Sequence, residues 1–291
     1  MHDLTPRTRL RATLGATVLA VSALLGGAAY AGGAPAAGPP SADVVRHGPV
    51  VRDDLQDVFR KAGVRGTFAL LDVRAGRTTV VDRARAEQRL IPASTFKIPH
   101  SLIALETGVI ADEYEVIPYG GQPQPFPEWE HDMNLRDAVR ASNVPVFQTL
   151  ARRIGLARER QWVNRLHYGD REIGGVVDRF WLDGPLEISA VEQTRFLSRL
   201  ARRELPVAKA HQLTVRDILK IEEKDGYALF AKTGWGMSTE PGIGWWVGWV
   251  ERGADLYTFA LNIDVEQDAD TAQRVPVARE LLRSLGVLPA A

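Results

Sequence analysis

The hydrophobic positions of the chain change their spacing along its length. Over residues 66–81, two runs rich in β-branched residues flank Arg74-Ala75-Gly76, a pattern typical of a β-hairpin. From about residue 94 to 203 the apolar residues recur every three or four positions, as at Ile98 and Leu102. This period predicts helices, so the middle third of the chain is expected to be mainly helical.

The β pattern returns after about residue 205. Apolar runs cover residues 227–231, 244–251 and 256–264, and an amphipathic segment predicts a last helix near the end of the chain. This order predicts an α+β fold, in which an antiparallel β-sheet is flanked by helices and carries an inserted, mainly helical subdomain. We assign residues 43–93 and 205–291 to the sheet part and residues 94–204 to the helical part.

The beginning of the chain has the pattern of a targeting segment followed by a tether. Three arginines precede an apolar run over residues 12–29, and Ala29-Tyr30-Ala31 then resembles a signal-peptidase site. We predict a signal peptide over residues 1–31, a flexible linker over 32–42 and a folded domain over 43–291. The protein is therefore expected to be exported, periplasmic or extracellular, with no stable membrane anchor after cleavage. Retention of the apolar run as an anchor is the open alternative.

Composition excludes several functional classes. The 291 residues include 36 basic and 36 acidic side chains, so the excess positive charge typical of nucleic-acid binding is absent. There is no cysteine, which excludes disulfides, thiolate nucleophiles and cysteine-bound zinc. The six histidines lack the spacing of zinc ligands, so no metal is expected, and His100 is interpreted as a packing or surface residue. Only six basic residues are lysines, and each raises the question of why it is not arginine.

One candidate for nucleophilic chemistry is the pair Ser94 and Lys97. If Ser94 begins a helix, Lys97 lies one turn later on the same side, so its amine can reach the hydroxyl. Apolar neighbours lower the pKa of a lysine by disfavouring its charged form, and a neutral amine can activate a hydroxyl. Taken alone the motif is weak, because a serine that caps a helix and a surface lysine give the same pattern.

Two further segments carry hydroxyl and amine groups. Lys232-Thr233-Gly234 follows an apolar run, and we expect it at the end of a strand, with a fixed positive charge and, at the glycine, room for an anionic ligand. A strand-ending turn is the structural alternative. Ser142-Asn143-Val144 is predicted within a helical stretch, where Ser142 could relay a proton, or where the chain could simply break before Pro145.

The three motifs together are far more specific than any one of them. Their order, S-x-x-K, S-x-V and K-T-G, is that of penicillin-recognising serine enzymes. With Tyr-Gly-Asp at 168–170, Phe-Trp-Leu-Asp-Gly at 180–184 and Gly-Trp-Trp-Val-Gly at 244–248, the sequence resembles the class D (OXA-type) serine β-lactamases over about residues 59–287. The family usually has asparagine where this chain has Asp170, so altered hydrogen bonding is expected there.

The resemblance implies a mechanism and a set of residues. In class D enzymes the lysine of S-x-x-K is carboxylated by CO2 and acts as the general base, so no diffusible cofactor is implied. The implied substrates are penicillin-type β-lactams, and the chain would act as a monomer or homodimer. The implied catalytic residues are Ser94, Lys97 and Ser142. The implied substrate-binding residues are Lys232, Thr233, Gly234, Trp235 and Arg274. The implied carbamate pocket consists of Val144, Trp181 and Leu182.

Other enzyme classes fit the sequence less well. There is no S-D-N motif, as class A β-lactamases require, and no G-x-S-x-G motif, as α/β-hydrolases require. The alternatives that stay open share the implied fold. One is a penicillin-binding sensor that stays acylated, and the other is a transpeptidase that acts on D-Ala-D-Ala peptides.

Overall fold

The computed structural model describes residues 48–224 and 226–290, and these form the compact unit discussed below. The predicted signal peptide, linker and first domain residues lie outside the described residues. The described residues contain nine strands. They are β1 (Val50–Val51), β2 (Gly66–Asp72), β3 (Arg77–Val81), β4 (Arg89–Leu90), β5 (Ile188–Ser189), β6 (Lys220–Lys224), β7 (Tyr227–Gly236), β8 (Gly242–Arg252) and β9 (Asp255–Val265).

Seven of these strands form one sheet in the order β1-β3-β2-β9-β8-β7-β6. The predicted hairpin is confirmed as β2 and β3, with Phe68 opposite Val81. The pairing of β2 with β9 joins the two ends of the described chain, with Phe68 opposite Leu261. The sheet is mixed, because the short β1 runs parallel to β3, whereas a purely antiparallel sheet was predicted.

Nine α-helices accompany the sheet within the described residues. They are α1 (Gln56–Lys61), α2 (Arg83–Glu87), α3 (Lys97–Glu106), α4 (Leu135–Arg140), α5 (Val144–Ile154), α6 (Leu156–Leu166), α7 (Ala190–Ala201), α8 (Lys209–Leu219) and α9 (Arg274–Ser284). The predicted α+β class is therefore confirmed. The helical run extends through α8, beyond the predicted limit at residue 204, because Gln212, Val215, Ile218 and Leu219 recur at helical spacing and are buried.

Side chains on the two faces of the sheet enter two separate hydrophobic cores. Along β8, Trp245, Val247 and Trp249 point into the core shared with the helical part, whereas Trp246 and Val250 point into the other. This alternation follows from the two-residue repeat of a strand. The first core contains residues of α3, α5 and α7, and the second contains residues of α1 and α9. The candidate catalytic segments lie where the sheet meets the helical part.

Candidate active site

Ser94 lies in a short 3-10 helix, Ala93–Phe96, immediately before α3. The backbone of Ala93 is in the left-handed region, with φ of 48°, and its N–H donates to the carbonyl oxygen of Trp181 at 2.9 Å. Such a conformation is unfavourable for a residue with a side chain and persists only where surrounding contacts hold it. The Ser94 side chain is therefore held in a fixed, largely buried position.

Lys97 is the first residue of α3 and is fully buried. Its Nζ lies at hydrogen-bond distance, 2.9 Å, from the Ser94 Oγ, and 5.2 Å from the ring centre of Phe147. Burial, and secondarily the nearby Lys232 charge, hold the pKa of Lys97 well below its usual value. The structure therefore places a buried amine that favours its neutral form against the hydroxyl, with the spacing that the sequence predicts.

A second amine and hydroxyl pair lies on the other side of the site. Lys232 Nζ donates to Ser142 Oγ and to the Thr233 carbonyl oxygen, both at 2.9 Å. Burial, with a smaller contribution from the Arg274 charge, lowers the pKa of Lys232 to about 7. Near neutral pH, Lys232 can therefore exchange between its protonated and its neutral form while in contact with Ser142.

Ser142 lies between α4 and α5, where the predicted helical stretch is broken before Pro145, the alternative that the sequence left open. Its backbone is left-handed, with φ of 55°, and Asn143 then caps α5 by accepting the Val146 N–H at 2.9 Å. The break follows from this cap and from Pro145. A proline has no backbone N–H, so within a helix it is tolerated only in the first turn. Because α4 and α5 meet here, Ser142 can reach a strand ninety residues later in the chain.

Lys232, Thr233 and Gly234 lie within β7, which continues to Gly236, so their prediction at a strand end is wrong. The antiparallel register with β8 extends the strand, with Gly236 opposite Ile243. The space beside Gly234 is also not free for a ligand. A Cβ there would lie 3.0 Å from Thr95 Cγ2 and 3.2 Å from Trp245 Cβ. The glycine instead lets β7 pack closely against the 3-10 helix that carries the nucleophile.

Arg274, the first residue of α9, lies beside the same stretch of β7. Its Nη1 donates to the Gly234 carbonyl oxygen at 2.7 Å, and its Nε donates to the Thr271 carbonyl oxygen at 2.6 Å. Burial lowers its pKa. Arg274 is therefore a partly buried side chain held by two backbone carbonyl oxygens, and not an ordinary exposed arginine. Trp235 follows Gly234 in the strand, opposite Gly244, and its side chain packs on the second core.

Three basic side chains, Lys97, Lys232 and Arg274, therefore lie near one another, and no carboxylate of the described residues contributes to the shifts of their pKa values. Within the described residues, the charges that shift the pKa of Lys97 and of Lys232 are other cations, and burial alone shifts that of Arg274. Like charges in a poorly solvated site raise one another's energy. A site of this kind favours an anionic ligand, because such a ligand relieves the repulsion between the cations.

Trp181 borders the Lys97 region with an unused hydrogen-bond donor. Its indole is fully buried and stacks on Phe96 at 5.7 Å, and its Nε1 has no hydrogen-bond partner among the described residues. A buried donor without an acceptor is unusual in a native protein. The indole N–H can only donate a hydrogen bond, so it would suit an anionic acceptor oxygen such as that of a carboxylated lysine. The other two residues assigned to this pocket, Val144 and Leu182, are both partly buried.

Sequence reasoning missed a hydrogen-bond network behind Ser94. Gln193 of α7 donates through Nε2 to Thr95 Oγ1 at 2.9 Å and to Tyr168 Oη at 3.3 Å. Thr95 Oγ1 in turn donates to the Pro92 carbonyl oxygen at 2.7 Å. These contacts connect the 3-10 helix to α7 through the side chain of Thr95. A polar residue on the apolar face of a predicted helix, as Gln193 is, was the signal that could have revealed it.

Asp170 is used as an acceptor at the position where the family usually has asparagine. Its Oδ1 accepts the backbone N–H groups of Glu172 at 3.1 Å and of Glu187 at 3.2 Å. An asparagine oxygen could accept the same two bonds, so the change preserves this turn. It also places a carboxylate near Glu187, and burial together with that charge raises the Glu187 pKa.

Two further observations concern metals and membranes. Across the part of the chain that the structure describes, no three His, Cys, Asp or Glu side chains come together in a way that could hold a metal ion. In residues 48–224 and 226–290, no helix combines the length and apolar character that a membrane crossing requires.

Comparisons with known proteins agree with the geometry. The family model described as the penicillin binding protein transpeptidase domain matches residues 66–283. The chain is 42% identical over 233 residues to β-lactamase OXA-5 of Pseudomonas aeruginosa, covering 79% of this chain and 87% of that protein. It is also 42% identical over 205 residues to β-lactamase OXA-48 of Klebsiella pneumoniae, covering 70% and 77%.

Solved structures show the same relationship. A class D β-lactamase from Nostoc, YbXI, superposes with a TM-score of 0.79 at 41% identity, covering 80% of this chain and 99% of that one. FUS-1 (OXA-85), a class D β-lactamase from Fusobacterium nucleatum subsp. polymorphum, has the same TM-score at 37% identity, covering 81% and 99%.

Proposed function

The chain belongs to the class D β-lactamases, and from this premise we propose that it hydrolyses penicillin-type β-lactams through an acyl-enzyme on Ser94. The observation that carries the proposal is the buried Lys97 amine, 2.9 Å from the Ser94 hydroxyl, with its pKa held well below the usual value. A neutral amine in this position can take the hydroxyl proton, which a charged one cannot.

Acylation then requires two proton movements. Ser94 Oγ bonds to the lactam carbonyl carbon as its proton passes to the Lys97 side chain, and the C–N bond of the ring breaks. Ser142 gives a proton to the departing nitrogen and regains one from Lys232, with which it is in contact at 2.9 Å. The Lys232 pKa of about 7 supports this role, because proton transfer is most effective when the pKa lies near the working pH.

We propose that Lys97 works in its carboxylated form. When CO2 is bound to its nitrogen, the lysine supplies an anionic oxygen base for both acylation and deacylation. Only an unprotonated amine can accept CO2, and the buried position of Lys97 favours that form. Trp181 would hold the group through its unpartnered Nε1–H, and Val144 and Leu182 would keep its surroundings apolar.

The remaining residues would bind the substrate. Lys232, Thr233 and Arg274 present positive or donor groups on one edge of β7, which suits the carboxylate of a penicillin. Gly234 would contribute to the site indirectly, because it lets β7 pack closely against the 3-10 helix that carries Ser94. The backbone N–H groups of Ser94 and Trp235 are the proposed donors to the oxyanion that forms at the lactam carbonyl.

Multiple turnover separates this function from the alternatives. Incubation with a penicillin or a chromogenic cephalosporin in excess is expected to give steady-state hydrolysis far beyond one equivalent of product. A stoichiometric burst without a steady state would instead identify a sensor that stays acylated, and release of D-alanine from a D-Ala-D-Ala peptide would favour a transpeptidase.

Replacement of the base gives a second test. Lys97→Ala is expected to lower kcat by about 10²- to 10⁴-fold, the usual range for a general base. Added bicarbonate should raise the rate of the wild type after CO2 depletion and leave the variant unchanged. Lys220→Ala is the matched control, because Lys220 is exposed and pairs with Glu223 at 2.8 Å on β6. Indifference of the wild type to CO2 depletion would rule out the carboxylated lysine.

A further inference from the structure

A histidine and a glutamate form a fully buried pair behind the candidate active site. His100 Nε2 of α3 lies 2.8 Å from Glu159 Oε1 of α6, and both side chains are completely excluded from solvent. The contact has the distance of an ion pair but lacks the alignment of a hydrogen bond, and His100 Nδ1 and Glu159 Oε2 have no hydrogen-bond partner among the described residues.

The pair lies next to the Lys97 pocket. His100 follows Lys97 by one turn of α3, so the two share a face of the helix. The His100 ring centre lies 5.1 Å from that of Trp181, 5.4 Å from Phe147 and 5.3 Å from Phe96. Phe147 is also the ring that lies 5.2 Å from Lys97 Nζ. His100 thus packs against Phe147, the ring beside the Lys97 amine, and against Trp181, which the resemblance assigns to the carbamate pocket.

Stability does not explain this arrangement. Burying two ionisable groups costs several kcal/mol of desolvation, and apolar residues of the same volume often replace such pairs without loss. An incompletely hydrogen-bonded pair is less favourable still. What the pair does provide is a close polar contact between α6 and α3, which places the Glu159 carboxyl group against the edge of the His100 ring at 2.8 Å. Neighbouring groups of this kind commonly control the orientation of the residues that react.

We propose that His100 and Glu159 are positioning residues for the carboxylated form of Lys97. Glu159 fixes the His100 ring, and His100 holds the Trp181 indole and the Phe147 ring in place around the Lys97 amine. The pair thereby sets how tightly Lys97 retains CO2. This inference rests on the proposed function, because it concerns the carboxylation step.

The test measures carboxylation directly. The full chain is equilibrated with ¹³C-bicarbonate, and the carbamate signal is followed by NMR as bicarbonate is increased. Glu159→Gln keeps the shape of the side chain and replaces its carboxyl group with an amide. It is expected to raise the bicarbonate concentration for half-carboxylation about 10-fold, as loss of a group that orients a bound ligand typically does. It should also lower kcat at ambient CO2, with KM little changed and kcat restored by excess bicarbonate.

Two comparisons separate positioning from folding. Glu106→Gln is the matched control, because Glu106 on the same helix contacts His211 at 2.8 Å at a partly exposed site and should leave the bicarbonate titration unchanged. The double variant His100→Phe with Glu159→Leu leaves no stranded charge, so it is expected to unfold at a temperature near that of the wild type and still require more bicarbonate.

Each outcome decides the question. The positioning role would be overturned if the double variant, or Glu159→Gln, reached half-carboxylation at the same bicarbonate concentration as the wild type. Failure of both variants to fold would also overturn it. Loss of kcat that excess bicarbonate does not restore would also overturn it. Absence of any carbamate signal in the wild type would instead refute the carboxylated lysine itself, so failure of this inference and failure of the proposed function are distinguishable.

Discussion

The presence of lysine at positions 97 and 232, in a chain whose basic residues are mostly arginines, has a chemical explanation. Both side chains are buried, and burial lowers the pKa of each. An amine can lose its proton under these conditions, whereas a guanidinium cannot. Lys97 has to be neutral to accept CO2 or a proton, so arginine could not replace it. At Lys232 the requirement is softer, because an arginine could also bind a carboxylate.

The two lysines predict a bell-shaped dependence of kcat/KM on pH. In the proposed mechanism Lys97 acts in its unprotonated form, so activity should fall as the pH drops toward its lowered pKa. In the same mechanism Lys232 binds the substrate carboxylate in its protonated form, so activity should also fall as the pH rises through its pKa of about 7. Measurement of kcat/KM reports the free enzyme and is the appropriate quantity. A profile that stays flat from pH 7 to 10.5 would contradict the alkaline limb.

Lys232→Arg tests the assignment of the alkaline limb. The guanidinium keeps its charge over the whole accessible range, so kcat/KM of the variant should lose the decline above about pH 7 while its acid limb stays in place. The maximum rate is expected to be lower, since arginine cannot return a proton to Ser142. Lys220→Arg, at an exposed position, should leave both limbs unchanged.

Among the elements, β7 connects the pair of Lys232 and Ser142 with the segment that carries Ser94. It carries Lys232 toward Ser142 and, four residues later at Gly236, ends against the segment before Ser94. A Cβ at Gly236 would lie 2.7 Å from Ile91 Cδ1, so the strand and that segment are in close contact. The packing of β7 against this segment therefore sets the distance between Lys97 and Lys232.

Gly234→Ala is expected to disturb this packing. The added methyl group would lie 3.0 Å from Thr95 Cγ2 and 3.3 Å from the Pro92 carbonyl oxygen. Such overpacking typically costs about 1–3 kcal/mol of unfolding free energy, and displacement of the 3-10 helix should lower kcat/KM as well. Gly175→Ala is the control, because its Cβ would meet nothing within 4 Å at an ordinary φ. Equal melting temperatures and rates for the two variants would show that close approach is not required.

The sequence predicts the elements of the site better than their limits. Alternation in the β-rich runs and the three-to-four-residue period identify β7, β8, α3 and α5. The end of β7 was misplaced because pairing with β8, a tertiary contact, extends it through Gly236. The left-handed backbone of Ser142 was also beyond prediction, since it is stabilised by the meeting of α4 and α5.

At the scale of the whole molecule, the site depends on contacts that local patterns do not encode. The periodicity gives an α+β fold, but the order of strands and the pairing of β2 with β9 follow from burial of both faces of the sheet. His100 illustrates the same limit. A lone histidine on an apolar helix predicts packing or exposure, and only the position of α6 shows that it is paired with Glu159.

The predicted domain boundary gives a test at this scale. The candidate site residues lie between Ser94 and Arg274, and the predicted folded domain begins at residue 43, so we expect residues 1–42 to be dispensable for the proposed chemistry. A chain that begins at Asp43 should therefore fold and hydrolyse a penicillin with unchanged kcat and KM.

The full chain expressed in a Gram-negative host is expected to yield a mature protein whose first residue, by mass spectrometry, follows Ala31. Loss of folding in the shortened chain would place part of the domain upstream of residue 43, and an uncut amino terminus in membranes would favour a retained anchor.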